Sequence, residues 1–302
     1  SVQSAVDNAV AGDVINIPDN IFYNTFSENI VIDKDLTLNF FNCTLIGDGV
    51  NPCISVVDDA NLIVNNVSFN DASFETDELS KLTINQLNSG NIILSRGNFA
   101  FSDTNLSNSN INILDANCLI SNCVFNSSSV LVNDGRSRIF NSTFTGSNVA
   151  ITQKGGELEI TGNIIFNNFI GVNVSGGVSN LTFNIFYDNN VSLVYNSSGL
   201  VYDDNWWGSN NPIHKYSYEF IECDILQLGG VNAPLNSWMV LSITESNYLD
   251  YEYYIAGITY YNLTVDLSHN NLGDKINGYF KDLSLTLTNV YNHVYQEYHY
   301  NG

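Results

Sequence analysis

The apolar positions of this chain fall in short runs of Val, Ile, Leu, Phe and Thr, each closed by Asn, Gly or Ser. β-Branched and aromatic side chains fit a pleated, half-buried strand, and Asn, Gly and Ser accept turn or left-handed backbone conformations. The pattern therefore predicts many short strands joined at tight corners. Helical spacing stands out at the start, where Val2, Ala5, Val6, Ala9 and Val10 make an apolar stripe stopped by Gly12. That stripe predicts one amphipathic helix.

The runs repeat. A unit Asn-x-x-aromatic or Asn-x-x-Leu recurs as Asn42-Cys-Thr-Leu45, Asn66-Val-Ser-Phe69, Asn98-Phe-Ala-Phe101, Asn122-Cys-Val-Phe125, Asn141-Ser-Thr-Phe144 and Asn163-Ile-Ile-Phe166. It decays into Phe183-Asn-Ile-Phe186 and Asp203-Asp-Asn-Trp206. The last five intervals are roughly 24, 19, 22, 20 and 20 residues, the period of a solenoid coil. Gly135, Gly156, Gly177 and Gly199 mark a second phase with nearly the same period. The longer interval between Asn66 and Asn98 carries the acidic stretch Asp71 to Glu78, read as a loop inserted into one coil.

One strand per side of a short coil, repeated in constant phase, stacks like on like at about 4.8 Å. The fold expected is all-β, a parallel β-helix of about nine coils and roughly 40 Å in length. Phe125, Phe144, Phe166 and Phe186 are expected to stack inside it, each contributing about 1.5 to 3 kcal/mol by burial. Asn at the corners is expected to bond its own backbone and the equivalent Asn one coil along, making ladders of structural purpose.

Charge narrows the partners. Nine Lys+Arg against 31 Asp+Glu give a net charge of −22, and only 13% of residues are charged, against about 25% in soluble proteins generally. No basic stripe for nucleic acid can be assembled from so few cations. No run approaches the roughly 18 apolar residues of a membrane span, and the opening Ser1 reads as a mature form or an excised fragment. The cysteines Cys43, Cys53, Cys118, Cys123 and Cys223 are odd in number and widely spread, so they read as small buried residues, with a Cys118–Cys123 bridge as the other possibility. All four His lie beyond residue 213, which leaves no His/Cys metal site in the first two thirds.

The opening Ser1 to Ile17, with Tyr23 and Asp33-Lys-Asp-Leu-Thr-Leu38, resembles the entry of secreted right-handed β-helix proteins with the pectin lyase-like fold, in which a small amphipathic helix covers the open end. Where the repeat ends, Asp203-Asp-Asn-Trp-Trp-Gly-Ser-Asn-Asn-Pro212 resembles the Asn-Trp-Trp-Gly-x-Asn-x-Pro signature of the large adhesin-like surface proteins of methanogenic archaea. In that family a β-helix region is followed by immunoglobulin-like repeats. Asn236 to Ile243 and Ala256 to Asn271 look like the first strands of such a module. The resemblance implies a right-handed β-helix with an N-terminal capping helix over 1–213, a linker over 214–235 and an immunoglobulin-like β-sandwich module over 236–302. That last segment is shorter than the about 100 residues of a full sandwich, so a truncated or compact module is expected.

Enzymes on a β-helix make specific demands. Pectate-lyase-like sites need clustered Asp for Ca²⁺ and an Arg or Lys base; glycosidases need paired carboxylates. The acidic pairs are Asp58-Asp59 and Asp203-Asp204, and the cations of the middle coils are Arg96, Arg136, Arg138 and Lys154. Asp134, Arg136 and Arg138 are the alternative catalytic set, with Asp115 the nearest further carboxylate. The Asn-Thr-Asp and Gly-His-Gly segments of polygalacturonases are missing. Trp206 and Trp207 are candidates for ligand contact, since indole faces stack on sugars, and equally for a plug on the last coil, with Trp206 in the phase of Phe186 and Phe166.

The sequons at Asn42, Asn66, Asn105, Asn126, Asn141, Asn173, Asn180, Asn190, Asn196 and Asn262 are consistent with an extracellular, glycosylated chain. The expectation is a noncatalytic cell-surface adhesin-like protein, secreted or surface-bound, that attaches to glycans or proteins of another cell through a polar face. It needs no cofactor, and Ca²⁺ is conceivable only as a bridge to anionic glycans. The alternatives are a polysaccharide lyase or hydrolase on the same rod, and a structural surface spacer.

Overall fold

The computed structural model describes residues 1–18, 25–47, 51–87, 90–217, 219–229, 233–248, 260–276, 283–288 and 295–300. One helix, Val2–Asn8, opens the chain with Ser1 as N-cap, its side chain accepting from the Ser4 amide, and buries Val2 and Val6 against the first coil. The remaining elements of regular structure among the described residues are strands.

The strands stack in parallel on three faces. Face one starts with Val14–Ile17, Leu36–Phe40, Asn61–Asn65 and Lys81–Asn85 and ends at Val178–Thr182 and Gly199–Val201. Face two is built of three-residue strands such as Thr44–Ile46, Val124–Asn126 and Ile185–Tyr187. Face three runs from Ile30–Ile32 through Ser129–Val132 to Val191–Tyr195. Residues move from one turn to the next with residue-for-residue register, as in Val130↔Ile151↔Val172↔Leu193. The molecule is thus a β-solenoid of about eight turns, against the about nine coils expected.

The strand pairing corrects the reading of the acidic stretch. Asp71 to Glu78 is not an inserted loop, since Ala72–Thr76 is a face-three strand paired with Ile54–Val56 and with Asn91–Ser102. Its Phe74 and Thr76 point inward while Glu75 faces out to Arg96 at 3.3 Å. The long interval between Asn66 and Asn98 therefore holds an additional turn.

Each described corner between faces one and two rests on a single residue in the left-handed region: Asn42 (φ 54°), Asn66 (57°), Gln86 (57°), Asp103 (51°), Asn122 (54°), Asn141 (49°), Gly162 (65°), Phe183 (58°) and Asp204 (54°). Asn, Asp and Gly carry the least penalty there, which explains the repeated Asn. The glycine phase has a different cause. A Cβ on Gly156 (φ 68°) would lie 2.3 Å from the Gly135 carbonyl oxygen, so two turns approach too closely for a side chain.

The position after the corner is buried and polar in the later turns, and here the ladder expectation is met. Asn163 Nδ2 donates to Asn184 Oδ1 at 3.0 Å, and Asn184 Nδ2 donates to Asn205 Oδ1 at 3.0 Å. The same Oδ1 atoms accept the backbone amides of Asn163 and Asn184. Two residues further on sits the core column, Phe125, Phe144, Ile165, Phe186 and Trp207. Phe125 stacks on Phe144 with centroids 4.4 Å apart, and Phe186 on Trp207 at 4.7 Å. Phe166 is not in this column. It lies outside, half-buried, stacked on Tyr187 at 4.8 Å, while Ile165 fills the core.

All five cysteines are buried and free, so Cys118 and Cys123 are not bridged. Burial pushes the Cys118 thiol up strongly and the Cys123 thiol up to about 11.

Residues 214–235, expected as a linker, supply His214–Ser217 and Cys223–Leu228. The latter is hydrogen-bonded in parallel to Val191–Tyr195 and so extends face three. Beyond it, Met239–Tyr248 pairs antiparallel with Tyr260–Asn270, and Leu283–Thr288 with Tyr295–Tyr300. Each is a separate two-stranded sheet among the described residues, without the second layer that would make a sandwich.

Candidate functional site

Arg136 and Arg138 alternate outward on face one around the buried Ser137. Their register partners one turn along are Glu157 and Glu159. Arg136 Nε lies 3.1 Å from Glu157 Oε2, and Arg138 reaches Glu159 with Nε at 2.7 Å and a terminal guanidinium nitrogen at 3.4 Å. Sequence reasoning missed both glutamates. The signal was available, since each follows its arginine by one glycine period. Asp134 is not paired with either arginine; its Oδ1 accepts the Gly135 amide at 2.9 Å, at the corner where face three passes into face one. Asp115 occupies the same corner one turn earlier, since Ala116 pairs with Gly135. The four charged side chains border a shallow recess of about 210 Å³ with Asn180 and Val178. They are ion pairs on an outer face, in water.

The tryptophan pair divides. Trp207 is 1% exposed, lies in the core column and meets the buried Tyr202 edge-on, so it is the plug of the last turn and offers no face to a ligand. Trp206, expected in the phase of Phe186, is one residue off that phase: it pairs with Ile185 and is half-buried. The rest of the stretch fastens the following segment. Asp203 Oδ1 accepts the amides of Asn236 at 2.8 Å and Ser237 at 3.2 Å, and Asp204 Oδ1 accepts Ser237 Oγ at 2.7 Å. Asn210 holds Leu241 at both backbone groups and its carbonyl receives Trp238 Nε1 at 2.9 Å. Asp58 and Asp59 are corner residues with φ of 59° and 61°. Among the described residues no group of three His, Cys, Asp or Glu side chains is placed to hold a metal ion.

A further surface feature of face one is uncharged. At the end of face one, Asn39 Nδ2 donates to Asn16 Oδ1 at 3.0 Å, Asn65 to Asn39 at 2.8 Å and Asn85 to Asn65 at 3.1 Å, and Ser102 Oγ donates to Asn85 Oδ1 at 2.6 Å. These rungs floor an open groove of about 560 Å³. Further rungs of the same chemistry stand elsewhere: Asn117 donates to Asn98 at 3.0 Å, Asn110 to Asn91 at 3.1 Å, and Ser129 to Asn110 at 2.6 Å. Sequence reading foresaw Asn ladders as structural devices; it did not separate the buried ladder at Asn163 from this half-exposed one.

Comparison of the chain with family models, with curated proteins and with solved structures returned no match. No helix among the described residues is long and apolar enough to cross a membrane.

Proposed function

We propose that the chain is a noncatalytic, extracellular adhesin-like protein that attaches to cells or glycans through the polar outer face of a right-handed β-helix. The observation that carries this reading is the run of amide and hydroxyl rungs along face one from Asn16 to Ser102. Rigid, repeated donor–acceptor pairs on a rod suit recognition of an extended polar ligand. In this reading the segment after Asn236 is an immunoglobulin-like spacer, joined to the rod through Asp203, Asp204 and Asn210.

The recess between Arg136, Arg138, Glu157 and Glu159 supports a second reading, a polysaccharide-active enzyme. One experiment separates the two. The full chain is applied to a glycan and whole-cell array with and without Ca²⁺, and every hit is analysed for product. Retained, uncleaved ligand is expected; unsaturated or shortened oligosaccharides would replace adhesion by catalysis, and silence throughout would leave a structural spacer.

A further inference from the structure

The groove on face one has a composition that selects among ligands. Its floor is the side chains of Asn39, Asn65, Asn85 and Ser102, one per turn, over a length of about 14 Å at the parallel-strand spacing. Among the described residues Asp103 is the one charged residue of its lining, and no Lys, Arg or His borders it.

The wall at its N-terminal end comes from a difference in chain length at one corner. Asn65 is followed at once by the left-handed Asn66, and Asn85 by the left-handed Gln86, but between Asn39 and the left-handed Asn42 the chain inserts Phe40 and Phe41. Phe40 turns into the core and is fully buried. Phe41 is left outside, 46% exposed, beside the first rungs. An exposed phenyl ring next to a row of amides has a chemical meaning. Each Asn amide carries two donors and two acceptor lone pairs, and its ladder bonds take one of each, so the remaining capacity suits the mixed donor–acceptor character of hydroxyl groups. The ring supplies the apolar surface on which the C–H face of a sugar rests.

Charge removes the other classes. A chain of net charge −22 whose groove contains no cation repels polyanions, and one carboxylate is too little for a cationic polymer. We infer that the groove from Phe41 to Ser102 binds a neutral, hydroxyl-rich polysaccharide, with Phe41 as the aromatic platform and Asn39, Asn65 and Asn85 as the polar contacts. This inference rests on the reading of the polar face as the attachment surface and adds its place and its ligand class.

The test is affinity electrophoresis of the full chain in soluble neutral polysaccharides (a β-glucan, a galactomannan and a dextran), with polygalacturonate as the anionic probe. The variants are Phe41→Ala, Asn85→Lys and, as a control exposed ring on the far part of the rod, Phe169→Ala. Retardation by at least one neutral polymer and none by polygalacturonate is expected. Phe41→Ala is expected to weaken it about 5- to 10-fold while Phe169→Ala leaves it unchanged. Phe41 is exposed, so its loss reports on binding with the fold intact; circular dichroism of Asn85→Lys checks the ladder variant. Binding of neutral polymer that both groove variants retain would overturn the groove and keep the adhesin reading. The same holds for attachment to cells or to anionic glycan without any neutral binding. Absence of attachment to any polymer or cell would overturn both.

Discussion

Asn184 joins three turns: its Nδ2 donates to Asn205 Oδ1 at 3.0 Å and to the Ile160 carbonyl at 2.8 Å, while its Oδ1 receives both the amide and the Nδ2 of Asn163. It is fully buried, so no water replaces a lost bond. Asn184→Ala is expected to cost about 2–3 kcal/mol in urea unfolding, more than the net value of one hydrogen bond, because it strands buried partners on the turns to either side. Asn117→Ala, on an exposed rung, is expected to change stability by less than about 0.5 kcal/mol.

Trp207 and Trp206 are adjacent in sequence and opposite in energetics. Trp207→Ala removes the ring stacked on Phe186 at the last turn and is expected to cost about 3–5 kcal/mol. Trp206→Ala, at a half-buried position, is expected to cost less than half of that. Denaturant titration of both variants checks the ranking; equal losses would contradict the plug assignment.

The Arg138–Glu159 pair is well aligned, yet the side chains are 55% and 38% exposed. Solvent screening reduces such a pair to about 0–1 kcal/mol, so a double-mutant cycle of Arg138→Ala and Glu159→Ala is expected to give a small coupling that shrinks further in high salt.

Cys123 has an ordinary thiol value of 9.0 raised to about 11 by burial. A group whose value is raised on folding stabilises the fold fully below its unfolded value, and that contribution is lost as pH rises through the folded one. Stability is therefore expected to fall between about pH 9 and pH 11, and Cys123→Ser to flatten that decline. With all five thiols buried, an aromatic disulfide reagent at neutral pH is expected to react only after denaturation.

Gly156→Ala tests the close approach of turns at the glycine corner. The new methyl would meet the Gly135 carbonyl at a residue with φ of 68°. A loss of about 1–3 kcal/mol in thermal unfolding is expected. Gly12, also left-handed but with nothing within 4 Å of its position, is expected to tolerate Ala better.

The solenoid, its helix and the inward Phe125, Phe144 and Phe186 were legible in the sequence, because burial of one face by stacking imposes a period that residue types must follow. The phase was not. Asn141 and Asn163 both open an Asn-x-x-Phe unit, yet Asn141 is the left-handed corner and Asn163 the buried position after it, with Gly162 as the corner. The same spelling puts Phe144 inside and Phe166 outside. Ala72–Thr76 was hidden by its neighbours' charges, although Ala72, Phe74 and Thr76 alternate as a strand must. The ion pairs of Arg136 and Arg138 were hidden for a different reason: their partners lie one period away rather than beside them. The half-exposed ladder from Asn39 to Ser102 could not be told from the buried one, since Asn suits both.

The column that ends at Trp207 has a mechanical consequence. In a solenoid each layer is held only by its neighbours, so an open end is where unwinding starts. Trp207 covers the Phe186 ring, and Val2 and Val6 of the helix seal the first turn. Under load or denaturant the rod sheds turns only after one of these two lids is lifted.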